Sequence, residues 1–591
     1  MASSVMEPAS KPTTQNVKAD TSSIYHNLPS TDHIRILRLH SGEPGAPLSA
    51  ELVSTPFEEA KGTYEALSYT WGTDEATEQL HCENSIIWLR PNLASALRRL
   101  RLASGIRNLW IDYLCINQEN AKERGEQMKF MHKIYGRASQ VITWIGEQDE
   151  TSNMVMDYIS KLDPILSLLE FDNWKKSWTV RNLEAHLLER DDETWTKAVS
   201  QFLSRSWFRR VWVQQEAAVC RNTIVLCGDM TVTWNQMFAF SWLASLGGAL
   251  TANVDRQWRL MSSESQTAIR LIRTIQSMRK CPDGRNTLPT LLHALNMTRR
   301  AEASFDRDRI FAVQHLAKQT KGYEIMVDPV HHADWKMAFE ELAINYLLKR
   351  GPSVISYAGR SAQENHDFPS WVPDWTYKPY SRIMGMSSWD AGGPQKGYRI
   401  PKHRVEVRDR KILSAGGIII GTITKLSKIA SEIEPTASYV DIEKHAYSLI
   451  DEDAVYFTGE TYLEAYLGTL LAGNKHSFLT QQDRSQALQK FWEWRSWIQQ
   501  QGNTESMFYD VTMENNGTFV DKRFGFADDY MCLVPALSRV GDKVCLIQTL
   551  QRPMVIRKKG DFYEFIGECY VHGIMDGQKW DPSLCEIMEF C

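Results

Sequence analysis

Three side chains of this sequence stand where polar chemistry could be done: Asp112, Arg124 and Glu216. Asp112 ends the short apolar run Leu109–Asp112. In an open α/β sheet, ligands bind beyond the carboxyl ends of strands, where such a residue lies. Arg124 falls on a helix expected from about Glu119 to Ala138, with an apolar face of Met128, Met131, Ile134, Tyr135 and Ala138. Helical periodicity turns Arg124 and Gln127 to that same face. A charge there must be paired or opened to a cleft, because an unpaired buried charge is very costly. Arg124 could meet a phosphate, or pair with Asp112 and fix the loop. Glu216 belongs to SWFRRVWVQQEAAV, read as one helix Trp207–Val219 with Ser206 as its cap. Phe208, Val211, Trp212, Gln215 and Val219 share a face, and Glu216 sits at its border. A border carboxylate can be desolvated, with a raised pKa, or can pair with Arg209 or Arg210. It can also face water, which is the commoner state of helical glutamates.

The elements that must position these groups alternate strand and helix. His33–Gly42 and EALSYTW read as strands. SIIWLRPNLASALRRLRL reads as a strand ending at Pro91, then a helix capped by Asn92. LWID and QVITWIG are further strands around the Arg124 helix, which argues for a parallel or mixed α/β sheet. Residues 151–230 and 231 to about 350 carry helical periodicity, and DFPSWVPDW reads as a rigid turn. Short strands follow from about 398 to 440, then helix to 502, then a strand meander with KKGD as a hairpin turn.

The chain has 591 residues, too many for one core. Residues 1–30, rich in Ser, Thr, Pro and Lys, read as a disordered N-terminus. A net charge of −5 gives no support for nucleic-acid binding. The ten cysteines include no C-x-x-C pair, so no zinc ribbon or thioredoxin-like site is expected, and no metal site is assigned. Several lie in apolar runs, which suits reduced thiols in a cytoplasmic protein. Cys115, between Leu114 and Ile116, reads as buried rather than nucleophilic. Asn117 and Gln118 read as loop organisers, and Trp71-Gly72 as a turn. Thr231–Val254 carries one charge-free apolar stretch of a buried-helix length rather than a membrane span. Phosphate-binding, dinucleotide, zinc-protease and nucleophile-elbow motifs are absent.

YEALSYTWG, WIDYLCINQ with ER, IYGRA and ITWIG, SWFRRVWVQQE, FDRDRIFAV, PSWVPDW, GDKVCLI and IGECYVHGIMDG occur in that order. Together they resemble the heterokaryon-incompatibility (HET) family of filamentous fungi. The closing motif brings His572, Gly573 and Asp576, where a hydrogen-bonded structural histidine is the favoured role. The sequence departs from the family at FADDYMCLVPAL, where the family often has a glycine-rich turn; a conformation needing glycine would be strained there. The HET region in turn resembles Toll/interleukin-1 receptor (TIR) domains. The match falls on Ser68 and Tyr69, Ile111 and Asp112, Glu123 and Arg124, and Trp212 and Glu216, with residues 147–205 intervening before the last pair.

The resemblance implies an α/β TIR-like (flavodoxin-like) HET domain over residues 31–230 with a helical insertion. A helical region over 231–375 and an α+β C-terminal region over 376–591 follow. It implies self/non-self recognition and regulated cell death, with self-association and signalling proteins as partners. Enzymatic TIR domains cleave the bond between nicotinamide and ribose, so NAD is implied as a substrate, with no resident cofactor. Glu216 would be the catalytic carboxylate. Ser68, Tyr69, Trp71, Asp112, Arg124 and Trp212 would line the nucleotide site, Trp71 or Trp212 by stacking. The alternative is a non-catalytic protein-interaction module of the same fold.

Overall fold

In the computed structural model, residues 24–162, 193–250, 261–279, 288–318, 324–329, 334–359, 369–378, 389–393, 405–428, 445–451, 454–470, 489, 492 and 522–591 are described. The chain is of mixed α/β class and builds two large sheets. It divides into two compact units, one of residues 1–156 with 220–234, the other of residues 157–219 with 235–591.

The first unit is organised by nine strands: β1 (His33–His40), β2 (Leu48–Pro56), β3 (Glu65–Ser68), β4 (Glu78–Cys82), β5 (Ser85–Leu89), β6 (Ile106–Trp110), β7 (Gln140–Trp144), β8 (Thr223–Cys227) and β9 (Met230–Thr233). Their order is β5-β4-β2-β1-β6-β3-β7-β8-β9. β6, β3, β7 and β8 run parallel to one another. Their middle strands are apolar on both faces: Ala66, Leu67, Val141 and Ile142 are all buried, the pattern of a parallel sheet covered on both sides. Antiparallel β1 and β2 extend the sheet on one side and β9 closes the other. Sequence patterning shows β1, β3, β5, β6 and β7, but not β2 or β4, nor β8 and β9, which fall in stretches read as helical. LSAELVSTP and EQLHC mix polar residues into strands whose outer faces are partly exposed, which weakens the period-2 signal.

Two helices cross between the parallel strands, α1 (Pro91–Leu100) and α2 (Ala121–Arg137). Asn92 does not cap α1. Pro91 occupies the first turn after Arg90, where its missing N–H costs nothing, and the Asn92 amide turns elsewhere. Asn120 caps α2 by accepting from Lys122 N and Glu123 N.

In the second unit the expected helix Trp207–Val219 breaks. Ser206–Arg209 is a 3-10 turn without a side-chain cap. Arg210 is extended, with Val211 N donating to Glu302 O at 2.8 Å and Glu302 N to Arg209 O at 2.6 Å. Only then does α4 (Val213–Val219) begin; it follows α3 (Glu193–Leu203) and packs against α5 (Ser263–Met278). A backbone bridge to a distant segment thus overrides a continuous helical period.

The C-terminal sheet contains β10 (Glu406–Arg408), β11 (Ile412–Leu426), β12 (Lys522–Ala527), β13 (Tyr530–Pro535), β14 (Lys543–Ile547), β15 (Met554–Lys559), β16 (Phe562–Glu568), β17 (Tyr570–Val571) and β18 (Glu586–Phe590). β14, β15, β16, β18 and β11 pair in a closed circuit, because β11 bonds both β18 and β14. The long β11 turns the corner through register shifts at Ile419/Gly421 and Ile423/Lys425, the usual device for curving a sheet into a barrel. The KKGD hairpin joins β15 to β16 as read. Most of the helix read over QALQKFWEWRSWIQQ lies outside the described residues.

Candidate functional site

The order in which the parallel strands are added across the sheet reverses at β3, with β6 on one side of it and β7 on the other. Polar side chains gather just past the carboxyl ends of these strands. Ser68 ends β3 opposite Thr143, and it and Tyr69 are buried. The Asn92 amide donates to Thr70 O at 2.7 Å, and its oxygen accepts from Trp144 Nε1 at 2.8 Å. One side chain from α1 thereby fixes the ends of β3 and β7. Trp71, half-buried, donates Nε1–H to Asp112 Oδ2 at 2.9 Å and meets Tyr113 edge to face, with 5.4 Å between ring centroids. Gly72 follows at φ 74°, a left-handed conformation that glycine takes without strain.

Asp112 is used locally as well: its Oδ1 accepts from Tyr113 N at 2.7 Å. Arg124 does not take the pairing role with Asp112. Its Nη1 donates to Gln118 O at 2.8 Å, and Gln118 Nε2 donates to Asp112 O at 2.8 Å. The loop between strand and helix is therefore held through Gln118. Asn117 organises it too, accepting from Glu119 N at 3.1 Å.

The ion pair that anchors this loop is Arg35–Glu123. Arg35 Nη1 and Nη2 reach Glu123 Oε1 and Oε2 at 2.5 and 3.1 Å, with side chains 4% and 10% exposed. Glu123 also accepts from Asn117 N at 2.9 Å, and Arg35 donates to Cys115 O at 3.2 Å. Sequence reading missed Arg35; an arginine at a buried position of HIRILRLH was the available signal. Cys115 is buried, and burial pushes its thiol up to about 12, which leaves it unreactive at neutral pH.

The remaining two sequence candidates lie in the second unit. Trp212, half-buried, donates Nε1–H to Asp308 Oδ2 at 2.9 Å. Burial raises the Asp308 carboxyl to about 6, against the opposing pull of that hydrogen bond and of Arg307 and Arg210. Glu216 is not solvated: it is 2% exposed, because α4 is surrounded and nearly all its residues are buried. Gln214 and Gln215 on the same turn are fully buried too, and neither amide has a hydrogen-bond partner among the described residues. Nearby, Arg309 Nη1 donates to Arg299 O and Ala301 O at 3.1 and 2.9 Å. Arg299 reaches Asp374 O at 3.1 Å and lies 4.6 Å from the Trp375 ring centroid. FDRDRIFAV and PSWVPDW are thus tied to each other by arginine forks on backbone carbonyls.

Residues 64–216 match the family described as heterokaryon incompatibility protein (HET), and residues 441–583 match the Het-6 beta-barrel domain. The curated heterokaryon incompatibility protein 6, OR allele, of Neurospora crassa is 25% identical over 94% of this chain and 95% of its own length. The chain carries a HET-type domain. No solved structure matches it. The HET match runs from the start of β3 into α4, so it takes in residues of both compact units.

In the region that matches the Het-6 beta-barrel domain, His572 is held at both ring nitrogens. Nε2 meets Glu460 Oε1 at 2.7 Å and Nδ1 meets the Tyr570 hydroxyl at 3.1 Å. A Cβ at Gly468, on α6 (Tyr462–Leu470), would lie 2.5 Å from His572 Cε1. The FADD turn between β12 and β13 places Asp528 at φ 49°, a region that aspartate tolerates better than most residues. Asp528 Oδ2 accepts from Thr422 N at 3.2 Å. Among the described residues, no helix is long and apolar enough to cross a membrane.

Proposed function

We propose that this chain acts in self/non-self recognition and regulated cell death, and does so as a TIR-like NAD glycohydrolase that works after self-assembly. The observation that carries the enzymatic reading is the burial of Glu216. A helical glutamate is ordinarily left in water, and a carboxylate is kept inside where a partner or a developing charge offsets its desolvation. The TIR-like reading draws on the four parallel strands, whose order in the sheet is second, first, third, fourth. That is the flavodoxin-like order, in which ligands bind at the carboxyl ends beside the reversal.

The reaction is hydrolysis of the N-glycosidic bond. The bond from ribose to nicotinamide breaks with its electron pair leaving on the nicotinamide nitrogen. Positive charge develops at the anomeric carbon, as in glycoside hydrolysis. Water adds there, a proton is released, and ADP-ribose and nicotinamide result. Glu216 stabilises the oxocarbenium charge. Ser68, Tyr69, Trp71 and Asp112 are assigned the nucleotide contacts, and Trp212 a stacking role. Arg124 uses one donor on Gln118 O, and the rest of its fork suits a phosphate. The loop from Tyr113 to Glu123, stiffened by Arg35, is the candidate contact between copies.

The test is nicotinamide release from NAD by the purified full chain, over a range of protein concentrations, beside Glu216→Ala and Glu216→Gln. The expected result is turnover that rises steeply with concentration and falls at least about 100-fold in both variants. Folded wild-type protein that leaves NAD intact at every concentration would replace this reading with the protein-interaction module.

A further inference from the structure

We infer that Trp212, Gln215 and Glu216 form one subsite for a flat aromatic carboxamide, with Gln215 as the residue that recognises the amide group; this rests on the NAD reading, in which that group is nicotinamide. The three lie at positions i, i+3 and i+4, which share one face of a helical turn. The turn is regular here: Gln215 N and Glu216 N both donate to Trp212 O, at 3.0 and 3.2 Å. Each residue brings one element of the recognition. Trp212 offers an indole whose orientation is set by the bond from Nε1 to buried Asp308. Gln215 offers a buried amide, donor and acceptor together, that nothing in the described protein satisfies. Glu216 offers a buried carboxylate.

The state of Gln215 differs from that of another enclosed glutamine of this chain, Gln314. Gln314 is equally enclosed, at 2% exposed, and both ends of its amide are satisfied by one residue. Its Oε1 accepts from Val327 N at 3.0 Å and its Nε2 donates to Val327 O at 3.2 Å. A buried amide without partners is destabilising, so a glutamine kept in that state fits a group that arrives from outside. Gln214 shares this condition but not the face of Trp212, and nothing in the structure explains it. A carboxamide ligand pairs with the Gln215 amide donor to acceptor and acceptor to donor. The corresponding carboxylic acid meets the Gln215 oxygen with a second acceptor and Glu216 with a like charge, so the subsite selects the amide over the acid.

The experiment measures binding of nicotinamide and of nicotinic acid to the full chain by calorimetry, together with Tm of the unliganded protein, for wild type, Gln215→Met and Gln314→Met. Wild type is expected to bind nicotinamide at least about tenfold more tightly than nicotinic acid. Gln215→Met, of similar volume and without the unpaired amide, loses about tenfold in nicotinamide affinity while Tm rises. Gln314→Met lowers Tm and keeps the ligand preference. Equal binding of the two ligands, no binding of either, or a fall in Tm for Gln215→Met overturns the subsite. Its failure is separable from that of the hydrolase. NAD cleavage without amide preference removes the subsite alone, and amide preference without cleavage removes the hydrolase alone.

Discussion

Asp308 sits between opposing demands: burial favours its neutral form, while Trp212, Arg307 and Arg210 favour its charge. Burial dominates, and the carboxyl is raised from 3.8 to about 6. The folded state therefore holds this proton more tightly than the unfolded chain. The resulting stabilisation is complete below pH of about 4 and is lost as pH rises through about 6. Asp308→Asn, which keeps an acceptor for Trp212 and cannot ionise, should raise stability at pH 7 by roughly 2–3 kcal/mol and show no excess at pH 4. Denaturant midpoints of the two proteins across that range check this; a constant difference would show that Asp308 does not titrate there. Arg35→Met should cost about 3–5 kcal/mol, since it leaves Glu123 buried without its partner. Adding Glu123→Gln should recover part of that loss, as read by urea unfolding. Neither effect could be foreseen from residue spacing. Glu216 lies at the edge of an apolar stripe, and such a position does not tell whether a third element will cover it. Arg35 was hidden inside a strand pattern that treats every inward residue as apolar.

Among the elements, those legible in the sequence were the ones whose side chains answer to a single period. β7, α2 and the β15–β16 hairpin fall near where QVITW, the Met131–Tyr135 stripe and KKGD put them. Ser206–Val219 was not legible, because the break at Arg210 is made by Glu302, a residue about ninety positions away that no local window contains. Asn92 shows the same limit: beside a proline it looks like a cap, yet its partners are Thr70 and Trp144. The strand-end cluster was legible to the extent that it rests on strand termini, which is how Asp112 was found. Gly468 gives a test at this scale. Alanine there would favour the helix by about 1 kcal/mol, but its Cβ would meet an imidazole held by Glu460 and Tyr570. Gly468→Ala should therefore destabilise by about 1–3 kcal/mol. His572→Ala should convert the same substitution into a gain, measured as a double-mutant cycle of unfolding free energies.

The whole molecule carries its chemistry-bearing residues in two compact units, each with its own large sheet. Unfolding should accordingly depart from two-state behaviour. Calorimetry is expected to resolve two transitions, with Arg35→Met lowering one and Gly468→Ala the other. A single transition moved by both would refute that. The first unit is also interrupted: the chain leaves it at Met156 and returns at Cys220. During synthesis β7 therefore leaves the ribosome well before β8, its parallel neighbour at Val141↔Thr223, has been translated. At roughly 5–20 residues per second, β7 waits several seconds with an uncovered apolar edge, the kind of edge that pairs with other nascent chains. The interval between these two strands is a period of vulnerability in this protein's biogenesis, and chaperone occupancy should be greatest while the inserted segment is being made.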